Sequence, residues 1–243
     1  MIVFDELKYA EDILKNGYKN EKYITFDNII LVKYWKHLGL TEDEIKKKLK
    51  STMSSFQNLF NGNILEYKVK KAINVGMKYD LLTGITVEIT DKEIDKINTL
   101  DCIDVRKMMF ILLLVWKFKG NPKRFKINNV DLMRLSKVSV HHNTFWKHIH
   151  EITKSKMISL TQYKGRDYYV VHFDDVGGET LFKINNFDNP IYYYLSLIEP
   201  DNYKECEECG VVIKAYNTRK YCENCAREME LEKYKKYNKK RFL

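Results

Sequence analysis

The sequence predicts a mainly α fold with α+β additions: an N-terminal helical bundle, a central helical unit closed by a β-hairpin, and a small cysteine-rich C-terminal unit. Three observations predict it. Only 10 Gly and 3 Pro occur among 243 residues, too few turn formers for a β-sandwich. Apolar residues recur at helical spacing along most of the chain before the last hairpin signal. Four of the five cysteines fall as two close pairs after position 205. Hydrophobic residues at 44% and aromatics at 13% supply a core and exclude global disorder. The longest apolar run, Met108 to Trp116, is too short to cross a bilayer. Asp5, Glu6, Glu11 and Asp12 stand where a secretory signal needs a basic start and an apolar stretch, so a cytoplasmic chain with no membrane partner is expected.

The first hundred residues are helical by pattern and form the first expected domain, 1–100. A helical run from Phe26 to Leu38 stops at Gly39. Thr41 and Glu44 form a capping box that opens Ile45–Lys50. Ile64 to Lys78 repeats apolar residues at helical spacing, and Ile85–Thr90 is either one short strand or an extended lead-in. Thr90 and Glu93 are a second capping box leading toward Leu100. With 16 Lys against 15 acids, this region suits dimerisation or partner docking better than a phosphate site of its own.

The second expected domain is 101–176. Val105 to Lys119 is apolar on nearly all faces and stops at Gly120-Asn121-Pro122, a buried central helix. Asn128 caps a short amphipathic helix with apolar positions 130, 132, 133 and 135. A tight Val138-Ser139 connection leads into a helix from His141 to about Lys156, whose Phe145, Ile149 and Ile152 make one buried stripe. Two β-patterned runs, Ile158–Tyr163 and Tyr168–Phe173, flank a hairpin signal at Lys164-Gly165-Arg166-Asp167. Residues 101–175 carry 14 Lys+Arg against 7 acids, most of the net +9, and a localised basic excess marks a phosphate-bearing partner.

Helix, short helix, tight turn, longer helix and hairpin is the order of a winged helix-turn-helix, and residues 104–175 resemble that family in element order, lengths and turn placement. The resemblance implies double-stranded DNA as partner, with the second helix of the pair in the major groove. His141, His142, Asn143, Thr144 and Lys147 are then the groove-facing candidates: Asn for adenine, Thr as donor or acceptor, Lys for guanine or phosphate. Lys164 and Arg166 at the hairpin tip, and Lys123, Arg124 and Lys126 before the second helix, are candidates for phosphate, joined by Lys117 and Lys119. His141, His142, His148 and His150 do not share one helical direction, so no metal site is expected among them.

Cys102 stands alone and is expected to be a small buried hydrophobe. Cys206, Cys209, Cys222 and Cys225 form two CxxC pairs twelve residues apart, a spacing that places four thiolates around one Zn²⁺. Gly210 permits the tight turn after the first pair. Val211-Val212-Ile213 and Arg219-Lys220-Tyr221 are expected to pair as a hairpin, and Cys222 and Cys225 to open a helix from Ala226 to about Lys240 whose positive end favours thiolate. The segment 203–230 resembles a treble-clef or zinc-ribbon finger; the expected domain is 203–243, joined to the centre by a linker or packing segment, 177–202. The tail is acidic near its helical start and basic near its end, which suits the helix dipole; Tyr234 and Tyr237 interleaved with Lys also suit a phosphate backbone.

No phosphate-loop, dinucleotide, zinc-protease or serine-nucleophile motif occurs, and no paired carboxylates stand out, so an enzyme is not expected. The richness in Lys, Asn, Ile and Tyr with only 7 Arg resembles proteins of AT-rich Gram-positive genomes, their phages and mobile elements. The leading expectation is a non-enzymatic DNA-binding protein, a regulator of transcription or a replication-associated factor of phage or mobile-element type, with zinc in a structural finger. The alternative is a protein-binding module, such as a phage-encoded inhibitor of a host or defence complex, docking through the same winged helix and finger. RNA presents the same phosphates as DNA, and a homodimer fits either reading.

Overall fold

A computed structural model describes residues 2–18, 20–54, 62–163, 166–173, 177–216 and 218–241. The chain divides into two compact units, Val3–Ile85, and Thr86–Leu243 with Met1–Ile2. Helices and strands are mixed, and among the described residues the strands occur as three antiparallel pairs. No helix among the described residues is long and apolar enough to cross a membrane.

The first unit consists of α1 (Glu6–Asn16), α2 (Ile24–His37), α3 (Glu42–Ser54) and α4 (Gly62–Gly76). α2 is the common partner of the other three. Its Ile30, Leu31, Val32 and Trp35 pack with Ala10 and Ile13 of α1, Ile45, Leu49 and Met53 of α3, and Val69, Ala72 and Ile73 of α4. The Thr41–Glu44 capping box is formed, with the Thr41 N–H donating to the Glu44 carboxylate at 2.8 Å. Polar groups of α2 are buried but satisfied. Tyr9 donates to Asp27 at 2.8 Å and Tyr18 to Asn28 at 2.5 Å, while Lys33 pairs with Glu6, which also accepts from the Leu82 N–H at 2.8 Å. A buried ion pair persists only when its lone pairs are used in this way.

The second unit is built on α6 (Ile103–Phe118), whose residues from Met108 to Trp116 are all 3% exposed or less. Around it lie β1 (Val87–Thr90), α5 (Asp91–Asn98), α7 (Asn129–Ser136), α8 (His142–Lys154), the hairpin β2 (Ile158–Tyr163) and β3 (Arg166–Val171), β4 (Thr180–Ile184) and α9 (Ile191–Ile198). The run before Thr90 is a strand: Val87 pairs with Ile184 and Ile89 with Phe182, with a bulge before Thr90. Its partner lies some ninety residues away, which is why local pattern leaves the choice open. The Thr90–Glu93 box is complete and Asn128 caps α7. The tight link after α7 is made by Lys137 in the left-handed region, at φ 53°. Residues 177–202 carry β4 and α9. Tyr194 of α9 is fully buried, stacked on Phe110 at 5.4 Å and donating to Asn98 at 2.7 Å.

A Cβ at Gly76 lies 2.6 Å from Val32 Cγ1 and 3.1 Å from the Ile29 carbonyl, so α4 meets α2 only without a side chain there. Gly76→Ala is expected to destabilise the first unit by about 1–3 kcal/mol in chemical denaturation. Glu93 is buried and receives Lys117 at 2.6 Å, joining α5 to α6. Lys117→Ala leaves that carboxylate unpaired and is expected to cost about 3 kcal/mol of stability, read as a lowered denaturation midpoint.

Candidate metal centre and candidate nucleic-acid face

Beyond α9 the chain makes β5 (Tyr203–Glu205), β6 (Val212–Lys214) and α10 (Glu223–Arg241). The hairpin differs from the expected one. β6 pairs backward with β5, Tyr203 opposite Lys214 and Glu205 opposite Val212, and not with residues 219–221. The reason lies in the Cys206–Gly210 turn, which reverses the chain: the Gly210 N–H donates to the Cys206 carbonyl at 2.9 Å, and Gly210 sits at φ 68°, where a side chain is disfavoured. The second arm is held differently. The Glu207 N–H donates to the Lys220 carbonyl at 3.1 Å, and Lys220 pairs with Glu207 at 3.3 Å.

This brings Cys206 and Cys209 to the turn, and Cys222 and Cys225 to the first turn of α10. The four sulfurs lie within 4.8 Å of one another. Cys209 Sγ and Cys222 Sγ are 3.7 Å apart. Metal–thiolate bonds of about 2.3 Å in a tetrahedron require sulfurs about 3.8 Å apart, so the donor set fits a metal ion with four protein ligands. All four are free thiols, and Cys206, Cys222 and Cys225 are buried. Burial pushes the Cys206 thiol up. The N–H groups of Cys222, Cys209 and Glu208, aimed at its sulfur, more than offset this and hold it at about 6. Hydrogen bonds from Cys225 to the Cys222 and Cys209 sulfurs push the Cys225 thiol well above the ordinary range. One thiolate thus draws protons shared by its neighbours, a charge pattern that a cation relieves.

The cysteine unit is anchored. Tyr192 of α9 meets Tyr203 at a 5.1 Å ring separation, and Lys137 lies over Tyr192 at 4.1 Å and donates to its hydroxyl at 2.5 Å. The Ala215 N–H donates to the Asn202 carbonyl at 2.8 Å.

The second candidate site is the outer face of α8. Phe145, Ile149 and Ile152 point inward as expected, leaving His141, His142, Asn143 and Lys147 exposed and Thr144 half-buried. His141 precedes the helix without a side-chain cap, and no acid stands in the first turn, so its N–H groups and positive dipole end meet solvent. Trp146 Nε1 donates to His142 Nε2 at 2.9 Å, which leaves His142 Nδ1 as the donor toward any ligand.

At the hairpin, the Arg124 guanidinium lies 3.8 Å over the Tyr163 ring and 5.7 Å from Tyr168. Across the hairpin, Tyr163 pairs in register with Arg166. Lys123, Lys126 and Arg166 are exposed; Lys164 lies outside the described residues. Lys117 is committed to Glu93 and to the Glu88 carbonyl at 2.8 Å, and Lys119 to the Lys126 carbonyl at 3.2 Å, with burial pushing its amine down. Lys117 is thus taken up by a buried carboxylate, while Lys119 is exposed apart from its bond to one carbonyl. Cys102 is half-buried and apart from the other four cysteines, in the turn before α6. Sequence reasoning missed the Trp146–His142 bond, although its i,i+4 spacing is visible. It also missed the Arg124 stack, which no local signal announces.

No protein-family model, curated protein or solved structure matches the chain.

The thiols generate a pH prediction. Cation binding must displace the Cys225 proton at any neutral pH and the Cys206 proton as well below about 6, so apparent affinity is expected to fall as pH drops from about 8 toward 5.5, and more steeply below about 6. Competition with a chromophoric chelator checks this. One bound equivalent is expected, with a loss of at least about 100-fold in Cys206→Ser.

Proposed function

We propose that this chain is a DNA-binding protein in which residues 101–176 act as a winged helix-turn-helix and the four cysteines hold a structural Zn²⁺. The single observation that carries the reading is the N-terminus of α8: uncapped, free of acids, with His141, His142 and Asn143 exposed and Lys147 one turn further on. A phosphate or base edge is the partner such an end accommodates. Asn143 offers the paired donor and acceptor that match adenine, and Lys147 a donor for guanine or phosphate. The hairpin supports the reading. It is tied to the helices by the Phe125–Tyr169 bridge, with reciprocal N–H···O bonds of 2.9 Å; it carries Arg166, and Arg124 stacks on its Tyr163, two cations suited to a flanking phosphate backbone.

Zinc is favoured over other divalent ions because four thiolates are soft donors in a tetrahedral set. With all four positions filled by protein, the ion has no place for water or substrate, so its role is to hold the hairpin and α10 together. A regulator or replication-associated factor is the role that fits a duplex reader without catalytic chemistry.

Fluorescence anisotropy on a random duplex pool across a salt series, followed by selection, tests the proposal. Affinity is expected to fall steeply with salt. Asn143→Ala/Lys147→Ala is expected to weaken binding about tenfold or more and relax the selected motif, while Arg166→Ala reduces the salt slope by about one. Absence of binding near micromolar protein at roughly 100 mM salt overturns the reading and directs the search to a protein partner.

A further inference from the structure

α10 runs for 19 residues, about 28 Å, and beyond its first turn nearly every described side chain is exposed, Met229 being half-buried. Leu231 is 53% and Tyr234 64% exposed. A helix of this length without a packed face is marginal in water, since tertiary burial supplies most helix stability. Its sequence is not patternless. Leu231 and Tyr234, three residues apart on one side of the helix, make a short apolar seam, with Arg227 four residues before Leu231. Its charge is divided: Glu223, Glu228, Glu230 and Glu232 occupy the first half against one Arg, while the half from Lys233 onward carries six bases and no acid.

We infer that α10 is a self-association element, on which two copies of this chain pair antiparallel, Leu231 of each packing on Tyr234 of the other. A parallel pair would set acid beside acid and base beside base. The antiparallel pair sets each acidic half beside a basic half. Antiparallel pairing also brings like-numbered flanks together, and Glu228 and Lys235 lie within about 20° of each other on one flank of the seam. Each Glu228 then meets Lys235 of the second copy, twice per dimer by symmetry. A nucleic acid is the weaker occupant: phosphates would suit the basic half but would be repelled by the acidic half and would leave Leu231 uncovered. The inference stands independently of the DNA-binding proposal.

Charge exchange tests it on the full-length, metal-loaded protein. Sedimentation equilibrium is expected to show concentration-dependent dimerisation of the wild type. Glu228→Lys alone and Lys235→Glu alone each replace two attractive pairs with two repulsive ones, and are each expected to weaken self-association about tenfold. Mixing the two variants in equal amounts is expected to restore a heterodimer of wild-type strength, a result that damage to the fold cannot produce. Unchanged metal content and helicity accompany each variant. A wild type that stays monomeric at all concentrations overturns the inference. So do variants that weaken association without rescue on mixing, and variants that change only DNA affinity, the last result assigning α10 to nucleic acid.

Discussion

From Met108 to Trp116 the side chains of α6 are withdrawn from water all the way round the helix. An ordinary amphipathic helix needs cover on one face; this one needs it on every face, and each large apolar residue contributes about 1.5–3 kcal/mol only if cover is supplied. The elements of the second unit are the cover. α8 contributes Phe145, Ile149 and Ile152, α9 contributes Tyr194, and the β1–β4 pair contributes Val87, Ile89 and Ile184. Because α8 must turn its apolar stripe toward α6, the opposite arc, with Asn143 and Lys147, has no choice but to face solvent. The candidate nucleic-acid face is thus set by what is buried beneath it.

The cysteine unit obeys the opposite constraint. Its cluster holds Cys206, Cys222, Cys225 and Ile213, with Val211 and Tyr221 packed against it, far too little apolar surface to hold a fold by itself. A metal ion held by the four sulfurs would compensate for a missing core, since binding free energy at such a site is folding free energy. The N–H groups that lower the Cys206 thiol come from Cys222 at the start of α10 and from Glu208 and Cys209 in the turn, so the approach of the two arms and the ligand charge are one arrangement.

Much of this was legible locally. The capping boxes at Thr41–Glu44 and Thr90–Glu93, the Asn128 cap and the stripe on α8 depend on neighbours a few residues apart, and the structure contains them; the hairpin after α8 also forms, but with Arg166 and Asp167 paired in β3 where the sequence pattern places them in the turn. The two CxxC pairs announce a shared site because thiolates at that spacing have one economical arrangement. The paired lysines were not legible. Lys117 and Lys123 look alike in a sequence, yet one neutralises buried Glu93 and the other is exposed, and only the packing of α5 against α6 separates them.

By itself, then, the sequence determined most of the helices from Phe26 to Lys156, the caps at Thr41, Thr90 and Asn128, a hairpin after α8 and the clustering of four cysteines, but not α1 or α9, because each of the former is fixed by short-range periodicity or by a few residues at a defined spacing. Only the tertiary structure decided that Val87–Thr90 is a strand, that β6 pairs with β5, that Arg124 stacks on Tyr163, and which lysines are left for a partner. Those outcomes join residues that are far apart along the chain or choose among several equally plausible local partners. The choice is made by which arrangement buries the apolar groups while leaving no buried charge alone.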